Sequence, residues 1–144
     1  MKKEKVTIGR REVADLVEFG LSDVKVKVDT GAYSSSIHVS FCQEKDGVLE
    51  VKFLDASHPA YRDQTFYFNE FRKKRVKSST GQTQERYFIY VKIHMGGKIV
   101  KTEFSLTERK GMRFPILIGR KLLNNRFIVD TSLKYLHPSL HASL

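Results

Sequence analysis

The chain has 144 residues and a mass of 16.7 kDa, the size of one domain that can bury a core without disulfides. A single cysteine, Cys42, excludes a disulfide framework within the chain and a cysteine-based zinc site. The net charge of +10 is uneven, because residues 1–71 carry 10 Lys/Arg and 12 Asp/Glu whereas residues 72–144 carry 16 and 4. No apolar run reaches the roughly 18 residues of a membrane span, and none resembles a signal peptide, so we expect a cytoplasmic protein with no membrane contact.

Apolar residues recur mainly with a period of two, which predicts strands rather than helices. The clearest element is a hairpin in which Tyr87–Met95 alternates up to Gly96-Gly97 and Val100–Leu106 returns. The other predicted strands are Val6–Arg10, Val13–Phe19, Val24–Val28, Val48–Leu54, Thr65–Phe68, Phe71–Ser78 and Arg126–Asp130. One helix of about two turns is predicted over Gly119–Asn125. The fold class is therefore all-β: a closed, mostly antiparallel barrel over residues 1–136, with one short helix after Ile118-Gly119 and a frayed tail over residues 137–144.

The candidate catalytic segment is Asp29-Thr30-Gly31, at the end of a predicted strand. The carboxylate can hold or activate a water, and the threonine hydroxyl can both donate and accept a hydrogen bond. The glycine allows a sharp turn and a close approach by another chain. Because such a tripeptide also occurs in ordinary turns, it indicates a catalytic loop only together with other segments.

A second segment, Ile116–Arg120, is a short apolar strand that ends in glycine before the predicted helix. Together with Asp29-Thr30-Gly31-Ala32, it resembles the retropepsins, the single-lobe aspartic proteases. The resemblance implies that Asp29, Thr30 and Gly31 form the catalytic loop. The residues that would support this loop are Ala32, Ile118, Gly119 and Arg120. For Arg120 we favour an intramolecular salt bridge over substrate contact.

The hairpin between these two segments lies where retropepsins have their flap, a mobile hairpin over the catalytic site. The small, polar stretch that precedes it suits a flap tip: Ser79, Thr80, Gly81 and Gln82. The alternative for this stretch is an ordinary exposed loop.

A closer resemblance extends over most of the chain, to a bacterial, retropepsin-like family labelled ATP-dependent zinc proteases. The segments that carry it are Lys27–Ala32, Ser35–His38, Arg75–Ser79, Glu103–Leu106, Met112–Arg120, Phe127–Asp130 and Tyr135-Leu136. One position departs from the family pattern: Tyr33 stands where an arginine usually follows the Gly-Ala pair. An acidic group that this arginine could bind in other members of the family would have no such partner in this chain.

The residues do not support the zinc and ATP in this family label. The five histidines are His38, His58, His94, His137 and His141, and none forms a His-Glu-x-x-His motif. For His38 we favour a structural role over a local hydrogen-bonding or substrate role. There is also no phosphate-binding loop, so we expect no cofactor and no metal. Relatives are associated with ATP-grasp ligases that add glutamates to proteins, and the resemblance implies such a ligase as a partner.

Aspartic proteolysis needs two carboxylates about 3 Å apart that share one proton. The chain has one Asp-Thr-Gly, so the simplest solution is a homodimer in which Asp29 of each protomer meets at the two-fold axis. An internal alternative pairs Asp29 with Asp130 of Asp130-Thr131-Ser132. We favour a role for Asp130 in capping a turn.

The positive second half suggests an acidic substrate, such as an acidic peptide or a glutamate-modified protein. The candidate substrate-binding cations are Arg72, Lys73, Lys74, Arg75, Lys77 and Arg113. A run of such residues is equally typical of a solvated strand edge.

Two other functions remain open. A noncatalytic module could bind RNA or an acidic protein through these cations. The aromatic residues available for stacking on bases are Phe66, Phe68, Phe71, Phe88 and Tyr90. A metal-dependent hydrolase, as the family label suggests, is the weaker alternative. The leading hypothesis is a homodimeric aspartic peptidase.

Overall fold

Strands form most of the part of the chain that the computed structural model describes, which is residues 4–77, 80–108 and 113–138. In chain order the elements are β1 (Val6–Gly9), β2 (Arg11–Leu16), a 3-10 turn (Val17–Phe19), β3 (Leu21–Val28), β4 (Ser35–Lys45), β5 (Val48–Phe53), β6 (Phe66–Phe68), β7 (Arg72–Lys77), β8 (Thr83–Met95), β9 (Lys98–Thr107), β10 (Ile116–Ile118), α1 (Arg120–Leu123) and β11 (Phe127–Asp130).

Six strands close into a barrel in the order β10-β3-β2-β8-β9-β4, and β10 pairs back with β4. This confirms the predicted all-β barrel. Two pairs within it, β10–β3 and β4–β9, are parallel. Parallel neighbours need long connections, and several strands separate each of these pairs along the chain. Outside the barrel, β5 and β6 extend the sheet beyond β4, β7 pairs with β8, and β1 pairs in parallel with β11.

The predicted hairpin is confirmed, with β8 and β9 joined at Gly96-Gly97. Both glycines have positive φ, 60° and 76°, which this tight turn requires. Alternation in β9 puts Val100, Thr102, Phe104 and Leu106 on one face, and all four are buried, but Glu103 and Ser105 on the other face are buried as well. Neighbouring elements cover these two residues: Arg72 of β7 reaches Glu103, and the Ser105 hydroxyl donates to the Ser35 carbonyl.

Three elements differ from the sequence prediction. The strand predicted over Val13–Phe19 ends at Leu16, and Val17–Phe19 form the 3-10 turn, whose C-cap Gly20 has a φ of 67°. Strand β4 was not predicted, because its run of serines is typical of a loop; here it pairs with β5, β9 and β10. Helix α1 is one turn rather than two, because the backbone leaves the helical region at Asn124 and turns left-handed at Asn125 (φ 67°). Its Leu122 and Leu123 are buried in the core.

The C-terminal segment returns to β2. The fully buried Glu12 carboxylate accepts hydrogen bonds from the backbone N–H groups of Gly9, Leu136 and His137. The frayed tail predicted from residue 137 falls mostly on residues 139–144, outside the described residues. Within the described ranges, no helix is long and apolar enough to cross a membrane.

Candidate active site

The backbone of Asp29 is held by the strand that crosses beneath it. Strand β10 lies parallel to β3 with Ile118 opposite Val28, and the Asp29 N–H donates to the Ile118 carbonyl at 2.8 Å. The chain then turns, and the Ala32 N–H donates back to the Asp29 carbonyl at 3.2 Å. The position of Asp29 is therefore determined by the barrel and not by the loop alone.

Arg120 supports the same loop from the start of α1. Its backbone N–H donates to the Ala32 carbonyl at 2.8 Å, and its Nη1 donates to the Thr30 carbonyl at 3.0 Å. The expected supporting role thus takes the form of a hydrogen bond to a carbonyl, not the predicted salt bridge. The guanidinium also lies 5.9 Å from the centre of the Tyr33 ring. Tyr33, at the position where the resembled family has an arginine, therefore packs beside the loop.

Gly119 is required by the close approach of two backbones. A Cβ at this position would lie 2.6 Å from the Tyr33 carbonyl oxygen and closer still to that of Ser34. The Gly119 N–H donates to the buried Ser35 hydroxyl at 3.0 Å. The sequence did not assign a role to Ser35. The available signal was that Ser35 lies in Ser35–His38, one of the segments that carry the family resemblance.

The Asp29 carboxylate is half-buried, while Thr30 and Gly31 are exposed. Its Oδ1 accepts a hydrogen bond from the Gly31 N–H at 3.1 Å. The carboxylate of Asp130 has a different environment: its Oδ1 accepts from the backbone N–H of Ser132 at 3.0 Å and from the Ser132 hydroxyl at 2.5 Å. Both contacts are typical of a turn, as predicted for Asp130. The Ser132 hydroxyl is the main cause that lowers the pKa of the Asp130 carboxyl, and the Ser132 N–H lowers it further.

The predicted flap tip connects β7 to β8. These strands pair from Arg72 opposite Phe88 to Lys77 opposite Thr83, so the connection is a hairpin turn. Its Thr80, Gly81 and Gln82 are exposed, and Gly81 has a φ of 86°. Ser79 lies outside the described residues. A flap role for this turn stays a prediction.

Strand β7 carries five of the six candidate substrate-binding cations, all exposed. Arg72 forms a two-pronged ion pair with Glu103, at 2.7 Å from Nε to Oε2 and 2.5 Å from Nη2 to Oε1. The hydrogen bond from Arg72 lowers the pKa of Glu103 despite the burial of that carboxyl. Lys73 pairs with Glu85 at 3.2 Å.

The remaining cations of β7 are Lys74, Arg75 and Lys77, and they form no ion pair with any described residue. The sixth candidate, Arg113, is exposed next to Phe114, with 5.7 Å from its Cζ to the ring centre. Strand β7 therefore carries exposed cations that can attract an anion. Substrate binding by these cations stays a prediction.

A cluster of three groups was missed by sequence analysis: His38 of β4, with Asp55 and His58 of the loop after β5. The His38 Nε2 lies 2.7 Å from Asp55 Oδ2, and the His58 Nε2 lies 4.0 Å from the same oxygen. The Ser57 hydroxyl is the main cause that lowers the pKa of Asp55 to about 2, and burial lowers the pKa of His58. His38 is therefore not a lone histidine. It belongs to a group whose ligand atoms all lie within 4.8 Å of one another.

The aromatic residues considered for base stacking lie mostly in the core. Phe66 and Phe68 pack against the rings of Phe19 and Phe53 at centroid distances of 4.9 to 6.2 Å. Phe71 contacts Tyr87, and Phe88 is buried. Of the five, Tyr90 alone is exposed. The RNA-binding alternative, which also relied on charge, thus has one exposed ring among the five considered for stacking.

Comparisons with known proteins agree with the resemblance. The family model described as "RimB-like: Retropepsin-like aspartic endopeptidase RimB" matches residues 7–139. Proteins named probable alpha-L-glutamate ligase are similar to the chain: one from Shewanella pealeana is 31% identical over 92% of this chain, and one from Desulfotalea psychrophila 32% over 90%. The chain spans only 30% and 29% of the length of these two relatives.

A solved structure has a similar fold. The crystal structure of Lpg0085 from Legionella pneumophila, a protein of unknown function, has a TM-score of 0.72 and 27% sequence identity. The alignment covers 92% of this chain and 98% of that one. The barrel and its surrounding strands are therefore shared over nearly the whole of both chains.

Proposed function

Because the chain belongs to the RimB-like family of retropepsin-like aspartic endopeptidases, we propose that it is an aspartic peptidase that acts as a homodimer. The observation that carries this proposal is the Asp29 loop. Its backbone is held by Ile118 and Arg120, while its carboxylate remains partly accessible. Such support fixes a reactive group to a rigid scaffold, which catalytic positioning requires.

The dimer supplies the second carboxylate that the chemistry needs. Two aspartates at a two-fold axis cannot both ionise at close range, so they share one proton. The ionised Asp29 takes a proton from water, which attacks the peptide carbonyl, while the protonated Asp29 of the partner donates to the carbonyl oxygen. The C–N bond of the resulting tetrahedral intermediate then breaks as the first Asp29 passes its proton to the leaving amine and the partner's Asp29 takes its proton back, which restores the dyad. The exposure of Thr30 and Gly31 leaves room for a second copy to approach this loop.

For the substrate we propose acidic peptides, in particular glutamate tails on proteins. Two observations favour this class: the unpaired cations of β7, and the name of the longer relatives, probable alpha-L-glutamate ligase. A peptidase of this specificity would shorten or remove the chains that a ligase adds. We propose that it works in the cytoplasm with an ATP-grasp glutamate ligase as its functional partner.

The proposal is tested by a digest followed by mass spectrometry. Wild type, Asp29→Asn and the control Asp130→Asn are each incubated with a glutamate-tailed peptide and a neutral peptide of equal length. We expect wild type and the control to cleave the tailed peptide preferentially. Asp29→Asn replaces both carboxyl groups of the dyad, because each protomer supplies one, and should lower the rate by at least about 100-fold, a typical contribution of acid–base catalysis.

The outcomes separate the two parts of the proposal. Equal cleavage by wild type and Asp29→Asn would contradict an aspartic mechanism. Cleavage of both peptides at the same rate would retain the mechanism but contradict the acidic substrate. Absence of aspartate-dependent cleavage in the range of about pH 4 to 8 would contradict peptidase activity of this chain alone.

A further inference from the structure

Two nitrogen atoms and one oxygen atom lie close together where β4 meets the loop after β5. They are the Nε2 atoms of His38 and His58 and the Oδ2 of Asp55. The site is separate from the Asp29 loop and has no part in the proposed proteolysis. We propose that His38, Asp55 and His58 bind one Zn²⁺ ion, which fastens β4 to this loop.

Both ring nitrogens of His38 face hydrogen-bond acceptors. Its Nδ1 lies 3.2 Å from the Thr107 carbonyl oxygen, and its Nε2 lies 2.7 Å from Asp55 Oδ2. A neutral imidazole has one N–H, so it can donate to only one of these acceptors. A second proton on the ring, or a metal ion bound to Nε2 and Oδ2, would satisfy both contacts at once.

The environment of His58 favours the metal ion over the second proton. Its Nε2 is buried and has no hydrogen-bond partner in the described part of the chain, although it lies 4.0 Å from Asp55 Oδ2. A proton on His38 would satisfy the contact with Asp55 but would leave this buried atom unpaired, which costs free energy. A metal ion among the three atoms would satisfy all of them at once.

The surroundings orient two of the three ligands as metal sites usually do. The backbone N–H of Ser57 donates to Asp55 Oδ1 at 2.8 Å, and the Ser57 hydroxyl donates to the same oxygen. Oδ2 therefore faces the histidines. A metal-binding histidine usually donates its other ring N–H to a carbonyl or carboxylate, and the His38 Nδ1 lies within hydrogen-bond distance of the Thr107 carbonyl for this purpose. The backbone that carries the ligands is also held in place, because the Leu54 N–H donates to the His38 carbonyl at 2.9 Å.

The type and spacing of the donor atoms favour zinc. Two imidazoles and one carboxylate suit Zn²⁺, whereas Mg²⁺ and Ca²⁺ prefer all-oxygen sites. Ligands of a tetrahedral zinc with bonds of about 2.0–2.1 Å are about 3.3 Å apart. The separations of 2.7 and 4.0 Å from Asp55 Oδ2 lie on either side of that value, and all three atoms lie within 4.8 Å of one another, so small shifts of the side chains would form the site.

A cleft gives access for the ion and for a fourth ligand such as water. Its volume is about 180 Å³, and its lining includes Ser57, His58, Pro59 and Arg113. The cluster also adjoins the support of the catalytic loop, because the His38 N–H donates to the Pro115 carbonyl at 2.7 Å just before β10. Zinc would therefore stabilise the base of the barrel rather than act on substrate.

The test measures metal binding and stability, so it does not depend on peptidase activity. Protein purified without a histidine tag and stripped with a chelator is titrated with Zn²⁺ against a competing indicator, and thermal unfolding is recorded with and without the ion. We expect about one ion per chain and a higher Tm with zinc. His58→Ala should bind at least tenfold more weakly and lose the Tm increase, whereas His94→Ala, altered in β8 outside the cluster, should match wild type.

A second variant keeps the proposal testable if His58→Ala does not fold. Ser57 is exposed and touches Asp55 Oδ1 only through its N–H and hydroxyl, so Ser57→Ala should fold and weaken zinc binding about tenfold. Substoichiometric binding by wild type, or equal affinity in wild type, His58→Ala and Ser57→Ala, would overturn the proposal. Tighter binding of Fe²⁺ than of Zn²⁺ would overturn the choice of metal, since two histidines and one carboxylate can also hold iron.

Discussion

At the scale of single residues, the position of the Asp29 loop depends on a few neighbouring groups that contact its backbone. Arg120 donates to the Thr30 carbonyl, and Gly119 packs against the backbone of Tyr33 and Ser34. Ser35 accepts the Gly119 N–H in a buried position. None of these residues carries the chemistry, yet each limits where the Asp29 loop can lie.

Ser35→Ala should weaken this support. The substitution leaves the Gly119 N–H without its acceptor in a buried position, and we expect a loss of about 1–3 kcal/mol in the free energy of unfolding. Ser36→Ala is the matched control, because Ser36 is its neighbour on β4 and is only half-buried. Urea denaturation of both variants measures the difference. A loss in Ser36→Ala as large as that in Ser35→Ala would argue against a specific role for the Ser35 hydroxyl.

How far the sequence predicts this site depends on the range of each signal. The hairpin at Gly96-Gly97 is specified by neighbouring residues, and the Asp29 and Ile118 segments are recognisable by their order along the chain. The cluster of His38 and Asp55 was not predictable in the same way. These residues are distant in sequence and meet only because β4 pairs with β5, and β4 itself was missed.

At the scale of elements, the β7–β8 hairpin combines an exposed basic strand with one anchored arginine. Arg72 pairs with the buried Glu103 of β9, so the root of the hairpin is fixed to the barrel. Farther along β7, Arg75 and Lys77 are exposed and lie on one face of the strand. The hairpin is therefore held at its base and positively charged toward its turn.

Glu103→Gln should remove a part of the acid sensitivity of the fold. The pKa of Glu103 is lowered in the folded state, so its contribution to stability is present above its ordinary value of 4.5 and is lost as the pH falls below it. We expect the variant to be less stable by about 1 kcal/mol at neutral pH. Its unfolding free energy should approach that of wild type at low pH. A constant difference from neutral pH down to about pH 2 would contradict this account.

Arg75→Gln/Lys77→Gln should reduce affinity for acidic substrate without changing the chemical step. We expect KM for a glutamate-tailed peptide to rise about threefold to tenfold at low salt, with kcat unchanged. The effect should shrink as salt screens the exposed charges. Lys92→Gln/Lys101→Gln is the matched control, since these exposed lysines lie opposite each other on β8 and β9. An equal rise in KM for the control would indicate net charge rather than recognition by β7.

At the scale of the whole molecule, the proposed function assigns one half of an aspartic site to each barrel. Its six closed strands hold one Asp-Thr-Gly loop, and the carboxylate of Asp130 is occupied with Ser132. The loop of Asp29 is exposed at Thr30 and Gly31, where a second copy can bring an identical loop. The central claim is therefore that each active site needs the Asp29 of two chains.

Mixing of subunits tests this claim most directly. Wild type and Asp29→Asn are unfolded together at equal concentrations, refolded, and assayed on the glutamate-tailed peptide at constant total protein. If both aspartates are needed, random assortment leaves about one quarter of the activity of pure wild type, because only wild-type pairs are active. Activity of about one half would mean that each chain works independently of its partner's Asp29, and it would contradict the shared site.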